Sequence, residues 1–147
     1  MAGRGPLVVL WLGALVFVGF GVWGLVSPYG LLDAVGLSPV EAGAVAETRA
    51  TYGGLIGSIG VALVVFAVRR PWNLPGLVLA TLTFGGLCGG RLIGMWREGA
   101  WPPVQVGAAS AEAVATVLAA VAWWAAARAA ARAAGEPDEA DRPTTAG

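Results

Sequence analysis

Four ionisable side chains stand inside or against otherwise apolar stretches: Glu47, Arg49, Arg91 and Glu112. A charge at membrane depth costs roughly 2.5–3.5 kcal/mol on insertion scales, so such a side chain usually turns toward the protein interior or a wet cavity. Arginine keeps its proton at any ordinary pH. Arg49 and Arg91 therefore each require a carboxylate, backbone carbonyls or an anionic ligand. Glu112 with Arg91 is the favoured pairing. Tyr52 follows Arg49 by three residues and shares its helical face, and Thr48, Thr51, Ser110 and Thr116 add hydroxyls. In a binding protein, Glu47, Arg49, Tyr52, Arg91 and Glu112 would hold the polar or anionic head of an amphipathic molecule. In an enzyme, Glu112 is the acid/base candidate because desolvation tunes its proton affinity, Arg91 stabilises developing negative charge, and Tyr52 assists proton transfer or orients the ligand.

The rest of the composition narrows that chemistry. The chain has 147 residues, no His, no Lys and one Cys. Without His, a Ser-His-Asp triad and most zinc and haem sites fall away. The lone Cys88 removes intrachain disulfides, CxxC redox chemistry and iron–sulfur ligation. No metal and no cofactor are expected. Nine arginines balance nine acidic residues, so the formal net charge is zero and nothing points to a nucleic-acid partner.

The elements that must position the polar residues are membrane spans. Hydrophobic residues make up 57% of the chain and charged residues 12%, about half the charged share of a soluble domain. Apolar runs of roughly 18 or more residues read as spans, and four are expected, at about 6–26, 49–68, 75–96 and 104–127. The first is longer than a signal-peptide core and lacks a small-x-small exit, so it reads as a retained anchor. Residues 27–37 read as a connector. Ser38, Pro39 and Glu41 form a capping box that starts a helix running to Arg69-Arg70-Pro71. Residues 1–135 are expected to form one membrane domain, and residues 136–147 a disordered cytoplasmic tail. The fold class is all-α: a polytopic four-helix membrane bundle, without an internal repeat.

Orientation follows the arginines that flank the spans. Arg4, Arg69, Arg70, Arg128, Arg132 and Arg142 share one side, and Arg97 alone flanks the other, which places both termini in the cytoplasm of a cell-membrane protein. Measured from the outer side, Arg91 lies roughly 7–8 Å inside the third span and Glu112 roughly 12 Å inside the fourth. Glu47 and Arg49 open the second span. Three helices thus bring two cations and two anions into one outer third of the bilayer, and the inner half carries none.

Small residues line several faces. Gly86, Gly90 and Gly94 repeat every four positions in the third span, Gly53 and Gly57 with Gly60 in the second, and Ala111, Ala115 and Ala119 in the fourth. Such stripes let helix backbones approach closely. They serve packing within the chain, or leave room for a ligand or for a second copy in a homo-oligomer. Cys88 reads as a small core residue.

Ala46-Glu47-Thr48-Arg49-Ala50-Thr51-Tyr52-Gly53-Gly54, then Gly89-Gly90-Arg91-Leu92-Ile93-Gly94 with Glu98-Gly99 after it, resemble a recurring pattern. It is that of a small bacterial four-helix membrane family, domain of unknown function 4345. The resemblance runs from about Leu7 to Trp124, and Glu112 matches the family's acidic position on the last helix. It implies a bundle sharing Glu47, Arg49, Tyr52, Arg91 and Glu112 as polar positions, and it implies no activity.

The residues leave several functions open. One is a lipid-embedded binding protein for a lipophilic small molecule. Another is an acid/base enzyme acting on a lipid-like or terpenoid substrate by isomerisation, cyclisation or epoxide opening. A third is an assembly subunit in which the charges are structural ion pairs. A small proton-coupled exporter is the least favoured, because it needs ion sites near the midplane and this cluster is shallow and one-sided.

Overall fold

The computed structural model describes residues 4–38 and 43–135. All regular structure among them is helical: α1 (Arg4–Val26), α2 (Pro28–Ala34), α3 (Ala44–Thr48), a π-helical segment (Arg49–Ile56), α4 (Gly57–Val68), a 3-10 turn (Arg70–Trp72), α5 (Asn73–Glu98) and α6 (Pro103–Gly135). The stretch Ala44–Val68 runs as one continuous rod. It joins α1, α5 and α6 as the four helices long and apolar enough to cross a membrane. Most of their surface faces outward and is apolar, with Leu15, Val26, Leu82 and Val117 all exposed. A helix hydrophobic all round belongs in lipid, where every backbone group is satisfied within its own rod. The chain is an integral membrane four-helix bundle.

The bundle is built from two close pairs. In the first, α1 lies against the π segment and α4 with almost no side chain between the backbones. A Cβ added to Gly21 would stand 2.5 Å from the Cα of Gly57, and one on Gly60 would stand 2.6 Å from the Val18 nitrogen. The second pair is α5 with α6, where Gly85 faces the Thr116 methyl. The pairs join through Leu10, Ala14 and Phe17 of α1, Leu63 and Ala67 of α4, Leu77, Ala80 and Phe84 of α5 and Ala119 of α6. The rings of Phe17 and Phe84 stack across this seam with centroids 4.6 Å apart. All of these residues belong to the half of the bundle that holds the N-termini of α1 and α5. That half packs solid.

Punctuation along the chain has local causes. The connector expected at 27–37 contains α2, because Pro28 interrupts a helix and leaves it resumable. Proline excludes the α region for the residue before it and lacks an N–H, so Ser27 sits at φ −136° and ψ 68° with Pro28 opening the next turn. Leu31 N–H then bonds back to the Ser27 carbonyl at 3.0 Å, while Leu31 and Leu32 bury against the bundle. Gly99, at φ +65°, ends α5 in the left-handed conformation that only glycine adopts without strain. Pro103 then starts α6, where its missing N–H is no loss. The helix expected from Ser38 instead begins at Ala44, after Gly43 at φ +105°; Pro39 and Glu41 of the expected capping box lie outside the described residues, as do the expected tail at 136–147 and its Arg142.

Candidate functional site

Arg91 on α5 and Glu112 on α6 meet face to face. Arg91 Nη2 donates to Glu112 Oε1 at 2.8 Å and Nε donates to Oε2 at 3.1 Å. This fork-on-fork geometry engages both carboxylate oxygens and is the strongest form of the pairing. The two side chains are 26% and 12% exposed, so the pair is sheltered more on the glutamate side. The third guanidinium nitrogen, Nη1, donates to Gln105 Oε1. Gln105 in turn donates from Nε2 to the Val35 carbonyl, 2.9 Å away at the end of α2. One amide therefore ties the ion pair of the α5/α6 side to the backbone of the α1/α2 side.

Gln105 was not singled out in the sequence, although a signal for it exists. It is an amide near the start of an apolar helix and precedes Glu112 by seven residues, two turns, on the same face. Its partner carbonyl lies 70 residues away along the chain, which no local pattern reveals.

The other expected site residues part company. Tyr52 stands on the π segment and lines the same cleft as Arg91. Arg49 is exposed, and its Nε donates to the Leu25 carbonyl at 3.4 Å. It thus places a cation on one of the free carbonyls at the C-terminal end of α1, where the helix dipole is negative. Glu47 is also exposed and accepts from the Thr51 hydroxyl at 3.0 Å. Arg91, Tyr52 and Gln105 line the cleft, and Glu112 pairs with Arg91 without lining it. Glu47 and Arg49 are occupied at the helix junction beside it.

The cleft has a volume of about 590 Å³ and lies between the two helix pairs at the end away from the packed core. One wall is the glycine stripe of α5, where a Cβ on Gly86, Gly90 or Gly94 would meet nothing within 4 Å. Facing it are Tyr52 and the backbone turn Val35-Gly36-Leu37, with Gln105 and Pro102 closing the end and Glu98 at the rim. The glycines thus divide by function. Gly21, Gly24 and Gly60 stand where α1 and the second span touch, and Gly86, Gly90 and Gly94 of α5 hold space open. Arg91 borders the cleft while Glu112 stands behind it. A guanidinium has five N–H donors and three are engaged here, which leaves two at the polar end of an apolar groove.

Such an arrangement defines a class: a four-helix membrane protein with a lateral cleft whose polar end is an anchored arginine. The chain belongs to the family described as Domain of unknown function (DUF4345), whose model matches residues 7–126. That match spans all four long helices up to Ala126 and includes every residue of the cleft. No curated protein and no solved structure matches the chain.

Proposed function

We propose that this is a multi-pass protein of the cell membrane, both termini cytoplasmic, whose cleft opens in the outer third of the bilayer and binds a lipophilic or amphipathic small molecule. The observation that carries the reading is an open, glycine-walled cleft of about 590 Å³ with one anchored polar end. Ligand sites typically enclose about 300–1,000 Å³, mostly apolar, with a few fixed polar groups. The orientation rests on the arginines: Arg4, Arg69, Arg128 and Arg132 flank the end opposite the cleft. Binding is favoured over acid/base catalysis because both Glu112 oxygens are held by Arg91 and because Arg91, not Glu112, borders the cleft.

Mass spectrometry of gently purified protein tests the reading. Wild type and Cys88→Ala should each carry a co-purifying lipid-like species, since Cys88 lies outside the cleft. Gly90→Leu fills the cleft from a position with no neighbour within 4 Å and should lose that species while remaining folded. Equal occupancy in wild type and Gly90→Leu would overturn the proposal.

A further inference from the structure

The charges around the cleft go further than its shape. Among the residues lining it, Arg91 and Glu98 are ionisable at neutral pH. Arg91 is already neutralised by the two-pronged contact with Glu112, so the lining carries no uncompensated cation, and Glu98 adds a negative charge at the rim. Arg49 is turned to the Leu25 carbonyl, and the exposed Arg97 lies outside the lining.

Position along α5 sets the length of the polar region. Arg91 and Glu98 are seven residues apart, two turns on one face, or roughly 10 Å along the axis. Gly86 lies five residues beyond Arg91 toward the bundle centre, a further roughly 7–8 Å of apolar, glycine-lined wall. A ligand that fills the slot has an apolar tail over Gly86 and Gly90 and a head spread from Arg91 to Glu98. The head must offer an acceptor to the two spare N–H groups of Arg91 and a donor to Glu98. A carboxylate or phosphate head supplies acceptors but meets Glu98 and the Glu112 charge behind Arg91. A quaternary ammonium head supplies no acceptor and leaves the arginine donors unmet, which is costly in a sheltered site.

The geometry points to a single-chain lipid with an uncharged, oxygen-rich head, one that combines carbonyl and hydroxyl groups as a monoacylglycerol does. This rests on the binding reading above and specifies the class of its ligand.

Photo-crosslinking in nanodiscs tests it. Three probes share one diazirine-bearing chain and differ in the head: a monoacylglycerol, a fatty acid ionised at the working pH, and an alkyltrimethylammonium. The monoacylglycerol should label the peptides of residues 86–102 about tenfold more than either charged probe. Glu98→Gln, a change at an exposed rim position, should raise labelling by the fatty acid severalfold relative to the monoacylglycerol. Preferential labelling by the fatty acid or the ammonium in wild type would overturn the uncharged-head assignment and leave the binding reading standing. Labelling of the cleft peptides by none of the three, or labelling that Gly90→Leu does not diminish, would overturn both.

Discussion

At the scale of single residues, the question is what the Arg91–Glu112 pair does for folding and what it does for binding. A partly buried ion pair contributes little net stability relative to well-packed apolar residues, yet removing one partner strands a charge. Glu112→Gln and Arg91→Gln should therefore each destabilise the bundle by about 2–4 kcal/mol. The joint replacement Arg91→Met with Glu112→Leu should recover most of that loss, because no charge is left without a partner. Thermal unfolding in detergent checks the stability of all three. The double variant should nevertheless lose its co-purifying ligand, since the two spare N–H groups go with the guanidinium. A stable double variant that retains ligand at the wild-type level would mean that the pair is purely structural. Gln105→Leu cuts the tie to the Val35 carbonyl and should weaken ligand retention with a smaller stability loss.

At the scale of elements, glycine has opposite meanings on neighbouring helices. Gly21 and Gly60 sit where any Cβ would run into backbone, at 2.5 Å and 2.6 Å. Gly21→Ala or Gly60→Ala must push α1 away from the second span and should cost about 1–3 kcal/mol, as overpacking does. Gly90→Ala has open space beside it. It should stabilise α5 by up to about 1 kcal/mol, the helix-propensity difference between the residues. Melting temperatures of these variants, measured in one detergent, should fall on opposite sides of wild type. The π segment coincides with the same close approach. A Cβ on Gly24 would stand 2.8 Å from Tyr52 Cβ and one on Gly53 2.5 Å from a Leu25 methyl carbon. The widened turn there carries Tyr52, which fits the frequent occurrence of π-helical turns at functional sites.

At the scale of the whole molecule, the bundle is packed at one end and open at the other. The core of Leu10, Phe17, Leu63, Leu77 and Phe84 is apolar throughout, and the polar network and cleft lie beyond it. Near the packed end, Arg69 stands 5.8 Å over the Trp72 ring and Arg128 3.6 Å over the Trp124 ring. Aromatic–basic pairs suit the headgroup layer, where an amphipathic ring and a cation share one environment. With the termini inside, a cysteine introduced by Ala100→Cys in a Cys88→Ala background should react with an impermeant maleimide on intact cells. Ala131→Cys should react only after permeabilisation. The reverse pattern would invert the proposed orientation.

Four spans, their helical nature and the shared depth of Arg91 and Glu112 are all legible in the chain. Each follows from a local rule: lipid demands long apolar helices, and a rise of 1.5 Å per residue converts sequence position into depth. The two-pronged contact between Arg91 and Glu112 fits that shared depth. Depth is one coordinate, however, and it does not give azimuth. Glu47 and Arg49 are expected at the level of the pair, but Arg49 bonds the Leu25 carbonyl at the end of α1 and Glu47 accepts from Thr51. The bond from Gln105 to Val35, and the division of glycines into those that touch and those that leave a gap, depend on how the helix pairs sit against each other. Residues far apart in the chain set that packing together, and so the cleft belongs to the tertiary structure alone.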